Sequence, residues 1–311
     1  MERKIPFNDI EKALNEAYEK YKSVDEGNVD PRLAKTSKAD AFGIAVVLAD
    51  GRTLTAGDTS TPTPLGGIAR VGLSVELLSQ YSPDELVKKS GSCCCADKNT
   101  CASRPQIAFG AHTVRAVSAV APQGDRDGKY QVLLDRLLSL TDGQPVFNDE
   151  LYKLLSEEAV SMKMADVLKE TGYEIYDDGN DSLDVYSRLM ALQLTTEQLA
   201  VIGATIAADG RNPRSGVYAF DGSASESVVT LMALHRLGHH GRRAWLMRAG
   251  LPAAASFGGA VLAVLPGFGA IAAYSPRLCD NGVSIRAARA ITYIARELGL
   301  NVFASARPTA G

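Results

Sequence analysis

Two runs of strand-forming residues constrain this chain more than any other feature. "FGIAVVLADGRTLTAGD" (42–58) reads as a β-hairpin, because Asp50-Gly51 between its apolar arms suits the left-handed backbone of a tight turn. "FGGAVLAVLPGFGAIAAYSP" (257–276) reads as two buried strands around the Pro266-Gly267 turn. The sequence between the two runs is helical in pattern. Strands at both ends with helices between them predict an α+β (α/β) fold in which one antiparallel sheet is built from both termini. The helix "SIRAARAITYIARELG" (284–299) is expected to cover one face of the sheet, ahead of a short strand "NVF" (301–303). The inserted helices form a second lobe. The expected boundaries are a sheet lobe over about 1–66 and 240–311 and a helical lobe over about 67–239, within a single unit. A ligand cleft belongs between two such lobes.

Local signals fill in the helices. Asn8 or Asp9 can cap a first helix whose Ile10, Leu14, Ala17, Tyr18 and Tyr21 share a face. Ser82-Pro83-Asp84-Glu85 starts another, with proline at its first position. "NDELYKLLSEEAVSMKMADVLKETG" (148–172) predicts one long helix closed by Gly172. Thr195 with Gln198, and Ser223 with Glu226, have the spacing of capping boxes.

The formal net charge of −3 gives no electrostatic case for nucleic acid or an anionic membrane. No run approaches the roughly 18 to 20 apolar residues of a membrane span. The charged N-terminal segment has no apolar signal core. A soluble cytoplasmic protein is therefore expected. In that compartment the segment "SCCCADKNTC" stands out, since it holds Cys93, Cys94, Cys95 and Cys101, four of the five cysteines. Thiolates bind zinc, copper(I) or an iron–sulfur cluster, and His112, or His235, His239 and His240, could add an imidazole. Adjacent cysteines point apart along an extended chain, so one metal would not use all three. Reactive-thiol chemistry, a labile disulfide or inert surface cysteines remain open alternatives.

Several blocks carry a resemblance: "EKALNEAYEKYKSVDEGNVDPRLAK", "FGIAVVLADGRTLTAGD", "LDVYSRLMALQLTTEQLAVIGATIAADGRNPRSG" and "GLPAAASFGGAVLAVLPGFGAIAAYSPRLCDNGVSIRA". In this order they resemble the serine-dependent glutaminases, which share the β-lactamase and penicillin-binding-protein fold. The likeness runs from about residue 10 to 303 and is weakest over 88–165. It implies a Ser-x-x-Lys pair at a helix start, in which the lysine takes the proton of a serine that attacks the glutamine side-chain amide. Aligned from Gly57 without a gap, the serine falls on Gly67 and the lysine on Arg70. Glycine has no nucleophile, and arginine stays protonated, so it is no base.

Other positions of the family's site also differ. A family tyrosine falls on Val29, and the asparagine of its "INAGA" block falls on Ala108. Its glutamate maps loosely to Glu157, with the paired asparagine at Lys163 or Met164. A second tyrosine falls near His239. The lysine and serine of "AKSGV" fall on Ala254 and Ala255, and Phe257 replaces the valine. Tyr186, in "LDVYSR", matches an active-site tyrosine.

The resemblance thus implies a glutaminase fold whose serine–lysine chemistry is gone. The favoured expectation is a repurposed enzyme acting on a glutamine-like amino acid or small amide. Cys93, Cys94, Cys95 and Cys101 would be its catalytic or metal-binding residues, with His112 as a further ligand. Tyr186, Arg70, Gly67, Glu157 and Phe257 would line the substrate site. The alternatives are a non-catalytic binding or regulatory relative and a true glutaminase with another nucleophile. Arg70 either grips a substrate carboxylate or lies at a solvated helix start. The family further implies a homo-oligomer.

Overall fold

The computed structural model of the protein describes residues 2–90, 111–170, 175–234, 237, 242–305 and 307–311. The N-terminal part runs β1 (Glu2–Ile5), α1 (Phe7–Tyr21), β2 (Asn28–Val29), β3 (Gly43–Leu48), β4 (Thr53–Gly57) and β5 (Thr63–Pro64). Helices follow: α2 (Ala69–Gln80), α3 (Pro83–Ser90), α4 (Ala111–Ala119) and α5 (Arg126–Leu140). After β6 (Val146–Phe147) come α6 (Asp149–Ser161), α7 (Met164–Glu170) and α8 (Gly179–Ala191). Next are β7 (Leu192–Leu194), α9 (Thr196–Ala207), α10 (Ser225–Leu234) and α11 (Arg242–Ala249). The chain ends with β8 (Ala253–Ala255), β9 (Ala260–Leu265), β10 (Gly269–Tyr274), β11 (Arg277–Leu278), α12 (Ile285–Glu297) and β12 (Arg307–Ala310).

The main sheet is antiparallel, in the order β4-β3-β10-β9-β8, so both ends of the chain build it as expected. Its three inner strands, β3, β9 and β10, are apolar and buried on both faces, and the period of two assigns each residue to a side. Ile44, Val46 and Leu48 of β3, with Ile271 and Ala273 of β10, share a core with residues of α1 and α12. Ala45, Val47, Ala270 and Ala272 face the other way, into the core of the inserted helices. The second face is paved with alanine because α9 lies almost on the sheet. A Cβ at Gly203 of α9 would come within 2.5 Å of the Ala270 Cβ. Sinking Leu199, Val201, Ile202 and Ile206 of α9 into this layer stabilises it by roughly 1.5–3 kcal/mol per side chain.

The capping signals fared unevenly. Thr195 and Gln198 form the expected capping box, and Ser82 and Glu85 exchange the same pair of bonds around Pro83. At α1, Pro6 occupies the N-cap, so Asn8 and Asp9 fall inside the first turn. Near residue 223, Asp221 takes the N-cap place two residues earlier by accepting from the Ser223 N–H, and a short 3₁₀ turn leads into α10. The helix expected over 148–172 is broken, because Lys163 adopts a φ of 48°. That break buries Met164 and Ala165 while Val160 and Met162 stay exposed. Gly172 lies outside the described residues. Residues 301–303 form no strand; the terminal strand is β12, paired in parallel with β1.

A second small sheet, β5-β7-β6, stands where the chain passes from the main sheet into the helices. Among the described residues, no helix is long and apolar enough to cross a membrane.

Candidate functional site

The site begins where β5 delivers the chain to α2. The Leu65 N–H donates to the Leu192 carbonyl at 2.7 Å, and its side chain is fully buried, so the chain is pinned just before the turn. Gly66–Ile68 then form a 3₁₀ turn that runs straight into α2. No side chain caps this helix start. From the opposite side, the end of β8 and the following bend, residues 255–257, lie against the turn. Ser256 locks that bend: its buried hydroxyl donates to the Pro64 carbonyl at 2.5 Å and accepts the Gly258 N–H at 2.9 Å.

The two glycines are required by this packing. Gly66 has φ +47°, and a Cβ there would lie 2.7 Å from the Ser256 hydroxyl and 2.9 Å from the Phe257 ring. At Gly67 a Cβ would lie 2.5 Å from the Ala255 carbonyl oxygen and 2.8 Å from Arg70 Nη2. Real Cβ atoms do not approach backbone this closely, so any side chain at residue 67 would force the Ala255 backbone or the Arg70 guanidinium to shift.

Arg70 folds back over this turn. Its Nε donates to the Gly67 carbonyl at 3.0 Å, and among the described residues it forms no ion pair. The guanidinium is thus a half-buried cation beside an empty side-chain position. It carries five donors on a rigid plane, of which one is used by its own turn.

A second arginine, not anticipated from the sequence, roofs the site. The Arg32 guanidinium stacks on the Phe257 ring, 4.4 Å from its centroid. Arg32 meets Asp30 through Nε at 2.9 Å and Nη2 at 2.7 Å, and reaches Glu158 of α6 through Nη1 at 3.1 Å. Its bond to Asp30 holds the guanidinium pKa above its ordinary value, against the opposing effect of burial. Asp30 also caps its own turn by accepting the Arg32 N–H, so the sequence Asp-Pro-Arg orients the arginine locally. That turn was a readable signal. The stack on a residue 225 positions away was not.

The remaining candidates fall as follows. Tyr186 is buried on α8, an element that packs against the Gly66–Ile68 turn. Glu157 is exposed on α6, whereas its neighbour Glu158 reaches the roof. Of the two positions matched to the family's asparagine, Lys163 is exposed and Met164 is buried in the helical core. Ala254 is buried, and Ala255 touches the turn through its carbonyl. Cys93, Cys94, Cys95, Cys101 and Ala108 lie outside the described residues, as do His235, His239 and His240. His112 lies in the first turn of α4. Among the described residues, no group of three or more His, Cys, Asp or Glu side chains is placed to hold a metal ion.

The glutaminase family model matches residues 27–303, nearly the whole chain. This chain belongs to the glutaminase family. A glutaminase of Parabacteroides distasonis is 34% identical, with 99% of each chain covered. "Glutaminase 1" of Escherichia coli K12 is 30% identical over 96% of this chain and 99% of that protein. Among solved structures, the probable glutaminase ybaS superposes with a TM-score of 0.85 at 26% identity, covering 96% of this chain and 99% of that one. A Bacillus subtilis glutaminase, solved in covalent complex with 5-oxo-L-norleucine, shares the fold with a TM-score of 0.76 at 21% identity, over 95% of this chain and 98% of its own. The fold is therefore that of the glutaminases, as the sequence blocks implied.

Proposed function

We propose that this member of the glutaminase family binds a small amino-acid-like or amide ligand in the cleft at Gly67 and Arg70, and does not hydrolyse glutamine through a serine–lysine pair. One observation carries the reading: the Ala255 carbonyl and the Arg70 guanidinium occupy the space that a side chain at residue 67 would need. An acyl-enzyme at this position needs an oxygen nucleophile and a neutral base within one helical turn. Glycine and arginine supply neither. The lost base is replaced by a permanent cation, and what a cation in a cleft does is hold an anion. Arg70 can take a ligand carboxylate through paired N–H donors, a charge-assisted contact stronger than a neutral one. Tyr186 and Phe257 would supply the walls.

The Bacillus subtilis relative forms its covalent complex with 5-oxo-L-norleucine by reaction with 6-diazo-5-oxo-L-norleucine. The same chemistry is not available to residue 67 here, so recognition without turnover is the function that fits the residues present. The test is calorimetric titration with L-glutamine and L-glutamate beside an ammonia-release assay, on the intact protein and on Arg70→Gln. Saturable binding that is lost in Arg70→Gln, with no ammonia, is expected. Ammonia release that disappears when Cys93, Cys94, Cys95 and Cys101 become serine would replace this reading with an enzyme built on the cysteine segment, with or without a metal.

A further inference from the structure

Four segments far apart in sequence are stacked over one another at the turn that leads from β5 into α2. The Gly66–Gly67 turn is the floor, and the Phe257 ring lies on it, with its Cδ1 and Cε1 at 2.9 and 3.0 Å from where a Gly66 Cβ would be. Arg32 lies on the ring at 4.4 Å. Arg32 is tied on one side to Asp30, in its own turn, and on the other to Glu158 on α6, a helix of the inserted set. Phe257 is half-buried, while its neighbour Ser256 is fully buried and bonded to β5. The backbone of the bend is therefore fixed, and the ring is the part able to turn.

We infer that Phe257 is a cover over the Gly66–Gly67 floor and that Arg32 is its latch, held shut by the ion pair to Glu158. The inference rests on the ligand-binding reading above, since a cover matters only where something enters. Three features of the stack support it. The side chain that fills the space is aromatic, with a single large rotor. The force holding it is a cation–π contact and partly exposed ion pairs, each individually weak and screened by salt. The latch also bridges the N-terminal segment and a helix of the inserted set, so anything that separates those elements releases the ring. A ligand carboxylate arriving at Arg70 would displace Phe257 from the floor and leave Arg32 with its two carboxylates.

The test is amide hydrogen exchange of Gly66 and Gly67 on the full chain. Neither amide has a hydrogen-bond acceptor among the described residues, so its protection reports covering. The variants are Arg32→Gln, Phe257→Val and the double substitution, each in about 0.05 M and about 0.5 M salt. Each single variant is expected to exchange roughly tenfold faster or more at these amides, with the β3 and β10 amides unchanged. The double variant should be no faster than Phe257→Val alone, because Arg32 acts through the ring. High salt should accelerate the wild type and leave Arg32→Gln unaffected. Wild-type rates in Arg32→Gln, or effects that multiply in the double variant, overturn the latch. Should Arg32→Gln fail to fold, Glu158→Gln keeps both Asp30 and Arg32 and should still show acceleration that salt no longer increases. Adding L-glutamine separates the two proposals. Variant rates as predicted without any glutamine protection keep the cover and defeat the ligand class. Glutamine protection that does not depend on Arg32 does the reverse.

Discussion

Arg286 and Arg70 each occupy the second position of a helix, α12 and α2, where a cation meets the unfavourable positive end of the helix dipole. The protein uses them in opposite ways. Arg286 is 2% exposed, lies over the Phe42 ring, and donates to the carbonyls of Lys22, Ala39 and Asp40. Burial draws its pKa below the ordinary guanidinium value, and three carbonyls of the chain from α1 to β3 depend on it. Among the described residues the Arg70 guanidinium has one hydrogen bond, to its own turn. The first arginine is spent on the fold, whereas the second is half-buried and, among the described residues, has most of its donors uncommitted. A residue type and a helix position do not assign a role; the number of partners already taken does.

The contrast can be broken by substitution, and the largest effect belongs to Arg286. Arg286→Leu leaves three carbonyls without their donor and should cost roughly 3 kcal/mol or more, read as a lowered urea midpoint. Gly67→Ser forces a Cβ against the Ala255 carbonyl and should cost about 1–3 kcal/mol. That variant should release no ammonia from glutamine, because the base is still arginine; recovery of turnover would mean that the turn relaxes more readily than its packing implies. Arg70→Gln should change stability by less than about 0.5 kcal/mol while lowering L-glutamate affinity roughly tenfold or more. A large loss of stability in Arg70→Gln would place it with Arg286 and erase the distinction.

The smallest lever is pH. Burial raises the pKa of Tyr274 on β10, so the folded protein keeps its phenolic proton to higher pH than the unfolded chain does. Its contribution is complete below about pH 10, the unfolded value, and is lost as pH rises through the folded pKa. Denaturation midpoints should therefore fall on the alkaline side, and Tyr274→Phe should flatten that fall.

The sheet was legible because its information is local. Apolar runs broken by Asp50-Gly51 and Pro266-Gly267 dictate strands and turns with few alternatives, and β3, β4, β9 and β10 form where those residues stand. The break at Lys163 was not legible. The sequence there has no proline or glycine, and the kink arises because Met164 and Ala165 pack into a core that the helix pattern does not reveal. At the site, the family's blocks imply that Gly67 and Arg70 stand where a serine and a lysine would, but the packing that closes around Gly67 could not be read from them. The Ala255 carbonyl at Gly67, and Arg32 on Phe257, are contacts between residues some 190 and 225 positions apart, fixed by the tertiary fold. That Glu158 rather than Glu157 pairs with Arg32 was not legible either, because one residue rotates a side chain by about 100° around a helix.

The most direct measurement is exposure of the intact protein to 6-diazo-5-oxo-L-norleucine, followed by intact mass and peptide mapping. A cleft with glycine at 67 and arginine at 70 predicts an unmodified mass after prolonged exposure, with calorimetric glutamine binding unchanged. A stoichiometric adduct at a single residue would contradict that prediction, and the residue carrying it would be the nucleophile.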